Sequence, residues 1–264
     1  MRRLAWACVA LMLVVTSVSA WLRLAQPRPP CGDWPSCRSV AAKAPARAVP
    51  TAPDGAGGMS FARLVHRVAA TLVLLLACAL SVLAWKRRSS DRAGNADAQA
   101  LLAVALGLAV LGVITPGSRS PGVLLGNLLG GLAMLAFAWR LATGLAARPP
   151  VSAALSRWAQ AGTGLWALQA ALGAVSGAGL LAVAPQMHFA LALVAGPWAY
   201  HVGAAACRQG RRFDGTALRV VAGAQFVLGG AAVYSDAPAG LVVAHNAGAA
   251  IGIALLSGVW RKTG

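Results

Sequence analysis

The chain contains no glutamate. Its only acids are six aspartates, against 23 lysines and arginines in 264 residues. Chemistry that depends on a glutamate, as acid, base or metal ligand, is closed to it in the usual form. Charge of any sign is scarce: charged residues make up 11% of the chain and hydrophobic ones 58%. Soluble proteins carry about 25% charged residues, so most of this chain belongs in lipid. Cysteine is also sparse, at five residues. No second ligand pair accompanies Cys31 and Cys37, which argues against a structural zinc site.

What remains is a series of apolar runs. Each is about 17–25 residues long, enough to cross a hydrocarbon core of ~30 Å. Backbone groups in lipid must be satisfied within the segment, so the spans should be helices. The expected spans run over 4–22, 61–85, 98–114, 122–141, 151–175, 181–205, 216–233 and 241–260. The first begins after Arg2 and Arg3 and could pass for a signal peptide, with Val18-Ser19-Ala20 as a cleavage site. Its apolar run exceeds the ~7–15 residues of a signal core, so it is read as an uncleaved anchor. Within these bounds no span contains an acid, which weighs against a proton-coupled carrier.

The net charge of +17 could suggest nucleic acid. The charges instead cluster at span ends, which is a topology signal and argues against nucleic-acid binding. With the N-terminus inside, 15 Lys/Arg fall in inner segments and 8 in outer ones. That bias places both termini in the cytoplasm and the 23–58 loop, with Cys31 and Cys37, outside.

The two halves repeat one another. Val110-Leu111-Gly112 followed by Asn127 resembles Val227-Leu228-Gly229 followed by His245. Gly130 and Gly248 each follow three residues later, and His66 and His188 open corresponding spans. The expected fold is an all-α polytopic membrane protein: eight transmembrane helices as two pseudo-symmetric four-helix bundles. The units are 1–148 and 149–264. Sites in such duplicated proteins often lie within or between the repeats.

His66, His188 and His245 sit at one depth, a turn or two inside the outer ends of their spans. His201 lies near an inner end and reads as a capping or interfacial residue. Ionisable groups within spans are rare and usually functional. Neutral imidazoles on facing helices of a bundle are what a bis-histidine haem iron requires. His188 and His245 form the natural pair, while His66 would face Asn127, a poor iron ligand. Arg63 and Arg67 share a helical face with His66. They either snorkel to lipid headgroups or pair with an anionic group such as a haem propionate. Cys31 and Cys37 should form a disulfide in an oxidising compartment, either as a staple or as a redox-active pair. Cys8, Cys78 and Cys207 read as inert buried thiols.

These features together resemble the haem A synthase family of cytochrome-oxidase assembly proteins. The likeness runs over nearly the whole chain: CGDWPSC in the first outer loop, LVHR opening span two, NLLGG in span four, Gln169 with LGA in span five, and Gln225-LGG with AHNAGAA in spans seven and eight. The resemblance implies an oxidoreductase that converts haem O to haem A by oxidising a porphyrin methyl to a formyl group. It implies haem b on His188 and His245. It also implies a substrate haem in the first half, at His66 and position 127, with electron or thiol exchange at Cys31 and Cys37. Implied partners are haem O, the haem O synthase that supplies it, an electron donor and the bilayer of a bacterial inner membrane, with a homo-oligomer allowed. The chain departs from the family at three places. Arg63 stands where the family has Glu, Asn127 where it has His, and the loop between spans five and six has no cysteine pair. A non-catalytic haem-binding or electron-transfer assembly protein is the alternative reading.

Overall fold

The computed structural model describes residues 1–25, 55–87, 92–115, 120–144, 149–235 and 237–260. Among them are eight helices and no strand. They are α1 (Arg2–Leu24), α2 (Gly55–Lys86), α3 (Arg92–Ile114), α4 (Pro121–Gly144), α5 (Ala153–Gly177), α6 (Ala184–Arg208), α7 (Arg212–Tyr234) and α8 (Ala239–Val259). All but α5 are long and apolar enough to cross a membrane. The chain is a polytopic helical membrane protein. At 25 residues α5 is long enough, about 37 Å at 1.5 Å per residue. It falls short in apolarity because it carries Ser156, Arg157, Gln160, Thr163 and Gln169. It packs on α4, α6 and α8, so part of its surface is covered by protein.

In the first half α1, α2, α3 and α4 form a closed ring of neighbours; in the second, α5, α6, α7 and α8 do the same. The halves meet where α4 touches α8 and α5, and where α1 touches α8. Between α6 and α7 the backbones nearly touch: a Cβ on Gly203 would stand 2.8 Å from the Gly215 carbonyl oxygen.

Packing is uneven along the helices. From Leu241 to Ala249 α8 is only half-buried, while Gly252 to Val259 is buried throughout. At that buried end polar groups tie the helices of each half together, and Arg140 over Trp260 links the two halves. Arg140 of α4 pairs with Asp97 of α3 at 3.0 Å and lies 3.9 Å over the Trp260 ring. Arg211 pairs with Asp214 at 2.8 Å and donates to the Gly258 carbonyl at 3.0 Å. The Trp260 indole donates to Thr163 of α5 at 3.1 Å.

Two expectations need correction. Helix α3 begins at Arg92 and α7 at Arg212, so Asp97 and Asp214 lie inside helices that were expected to hold no acid. Both are buried, and each is neutralised by an arginine, which makes burial tolerable. Of the cysteines read as buried, Cys8 is so, but Cys78 is exposed on α2 and Cys207 is half-buried.

Candidate functional site

The loosely packed end of the second half holds the two histidines. His188 lies on α6, just beyond Pro185 in the first turn, and His245 lies in the second turn of α8. Their ring centroids are 6.2 Å apart with planes at 79°. Two imidazoles on opposite sides of one metal ion need a similar spacing: about 2 Å of metal–nitrogen bond on each side, plus roughly 1 Å from each centroid to its nitrogen. Both side chains are half-buried.

Each histidine is held by the helix that precedes it. The Gln169 side-chain N–H on α5 donates to the His188 main-chain carbonyl at 2.9 Å. The Gln225 side-chain N–H on α7 donates to the His245 carbonyl at 3.1 Å. His188 Nδ1 lies 3.0 Å from the Gln169 main-chain carbonyl, which can only accept. Nδ1 therefore carries the proton, and the Nε2 lone pair faces the Gln169 side-chain N–H at 3.5 Å, a weak contact that a ligand would have to displace. Metal-binding histidines usually have a second partner of this kind. Two buried atoms here have no hydrogen-bond partner, Gln169 Oε1 and His245 Nδ1. Glycines make room for the rings. A Cβ on Gly173 would stand 2.9 Å from His188 Cε1, and one on Gly229 would stand 3.2 Å from His245 Cε1.

Trp166 closes the floor. It is buried, and its indole donates to the Ala195 carbonyl of α6 at 2.8 Å. A Cβ on Gly252 of α8 would run into its ring. Ala195 and Gly252 each lie seven residues beyond their histidine, so Trp166 sits about two turns below the pair.

The first half is built differently. His66 is half-buried on α2. The charges of Arg67 and of Arg23, at the end of α1, reach it. Arg23 is itself anchored to Ser19 at 2.9 Å. Arg63 and Asn127 are both exposed. Among the described residues no hydrogen bond or ring contact joins Asn127 to His66. Cys31 and Cys37 lie outside the described residues. His201 stacks on Trp158, with centroids 5.0 Å apart, at the end away from the pair.

Arg23 and Trp166 were not singled out from the sequence, and Gly173 and Gly229 entered only as parts of motifs. The signal available for the glycines is internal: Gln169-Ala-Ala-Leu-Gly173 and Gln225-Phe-Val-Leu-Gly229 are the same pattern. Among the described residues no three His, Cys or Asp side chains gather. No known family matches the chain, and no characterised protein matches its sequence.

Proposed function

We propose that the chain is a haem A synthase-like oxidoreductase of a bacterial inner membrane, with both termini cytoplasmic. The observation that carries this is the imidazole pair. The His188 and His245 rings lie 6.2 Å apart between centroids, a spacing that suits one metal ion, with the His188 Nδ1 proton held by a backbone carbonyl, at the end of the bundle where α8 is only half-buried. The donor set fits haem b, held by those two residues, and haem supplies one-electron chemistry there. The protein's part is to set ring orientation and to cover the site from below with Trp166.

The first half receives haem O as substrate. His66 is its ligand, Arg63, Arg67 and Asn127 line that site, and the arginine charges suit the propionates. Cys31 and Cys37 serve electron or thiol exchange. The matching rings of helix neighbours support two pseudo-symmetric units, 1–148 and 149–264, with α5 as the eighth span. Partners are haem O synthase, an electron donor and the bilayer; a homo-oligomer is compatible with this arrangement.

The test is to express the chain with a haem O producer and to extract the haems. Haem A or its hydroxylated intermediate is the expected product, and its loss in His66→Ala is expected too. Recovery of haem O and haem b alone contradicts the synthase reading. One observation favours the alternative, a haem-binding electron-transfer assembly protein: Arg63 and Asn127 replace an acid and an imidazole, and among the described residues no hydrogen bond or ring contact joins Asn127 to His66.

A further inference from the structure

One local unit is built twice in the second half. In Gln169-x-x-Leu-Gly173 and in Gln225-x-x-Leu-Gly229, glutamine and glycine are four residues apart and share a helix face. The glutamine amide donates to the main-chain carbonyl of the histidine on the following helix, at 2.9 and 3.1 Å. The glycine, one turn along, lies against that histidine's ring. A half-buried amide N–H needs a partner, and in both hairpins it finds one at the histidine.

The third hairpin has the same register without the polar parts. Gly248 packs on the Gln225 side chain; Gly130 packs on Leu108, with a Cβ there 2.7 Å from Leu108 Cδ2. Leu108 thus occupies the place of Gln225, and Asn127 that of His245. The unit reads Leu108-Ala-Val-Leu-Gly112, and a Cβ on Gly112 would meet nothing within 4 Å. Glutamine and imidazole are missing together.

We propose that Gln169 and Gln225 are positioning residues for the imidazole pair, the Gln-x-x-Leu-Gly unit fixing how the two second-half hairpins present their histidines; the α1–α2 hairpin presents His66 without this unit. Two hairpins carry the unit and present His188 and His245. The α3–α4 hairpin lacks its glutamine and presents none. The glutamine fixes the height of the histidine's backbone against the preceding helix. The glycine fixes the ring's lateral place. The inference rests on the haem reading for the identity of the ligand, and on geometry alone for the cradle.

The test uses the full chain in detergent, as wild type, Gln169→Met and Gln225→Met. Methionine keeps the length and removes the N–H donor. Haem b affinity and the low-spin electron-paramagnetic-resonance signal are measured on the folded fraction. Loss of such a supporting partner typically weakens metal binding about 10–100-fold; that loosening, with a shifted or split low-spin signal, is expected. Wild-type affinity and an unchanged signal in both folded variants overturn the inference while leaving the haem reading intact. A ligand-free readout separates the two claims. With ¹⁵N-labelled histidine, the wild type should show one ring population each for His188 and His245, and the methionine variants several. If the wild type takes up no haem but the ring populations still split, the haem reading fails and the cradle stands; if neither is seen, both fail. Should the methionine variants not fold, Gly229→Ala carries the same measurements, since the nearest atoms its methyl meets are those of the His245 ring.

Discussion

At the residue scale the two glycines beside the imidazoles are not equivalent. A methyl added at Gly173 would sit 2.9 Å from His188 Cε1, closer than side chains tolerate; at Gly229 it would sit 3.2 Å from His245 Cε1. His188 is also held at Nδ1 by the Gln169 carbonyl and has less freedom to yield. Gly173→Ala should therefore cost more bound haem than Gly229→Ala, measured by titrating each purified variant. The reverse order contradicts the assigned ring contacts. His188 and His245 were legible in the sequence because an imidazole in an apolar run stands out. The cradle was not, because its partners lie 19 and 20 residues apart. Sequence alone does not reveal which turn of one helix meets which turn of the next.

At the element scale, span positions could be read from the apolar runs, and their ends less well. The run of span three starts at Ala98, but the helix begins at Arg92 and takes in Asp97. An apolarity criterion stops at the first charge, whereas the structure buries that charge because Arg140 arrives from α4 at 3.0 Å. Replacing Asp97 by Ala leaves a buried guanidinium without its counter-charge, a loss of about 3–5 kcal/mol for such pairs. The melting temperature in detergent should fall clearly, and an unchanged value refutes a structural role for the pair. The α3–α4 hairpin offers a gain-of-function counterpart. Asn127→His should alter the spin state of a haem bound in the first half. Joining it with Leu108→Gln should strengthen that change, because the cradle is then complete. A haem-loaded double variant with the wild-type spectrum contradicts this placement.

At the scale of the whole molecule, the chain is tight at one end and loose at the other. The ion pairs of Arg140 and Arg211 and the indole of Trp260 join α3, α4, α5, α7 and α8 at the tight end. The histidines occupy the loose end. Membrane character, helix count and the pairing of two histidines were legible because each rests on composition or spacing. The polarity of packing was not, since it depends on which faces meet. Gly252 reports the tight region directly: a Cβ there would enter the Trp166 ring. Gly252→Val should destabilise the fold by about 1–3 kcal/mol, read in the same thermal assay, and no loss there contradicts the packing of α8 on Trp166.

The central claim is that His188 and His245 together hold one haem iron. The most direct measurement is the optical and paramagnetic-resonance spectrum of the purified chain, as wild type, His188→Ala and His245→Ala. The account predicts a low-spin b-type haem in the wild type, lost in each single variant. A wild type without haem, or a low-spin signal that survives either substitution, would contradict it.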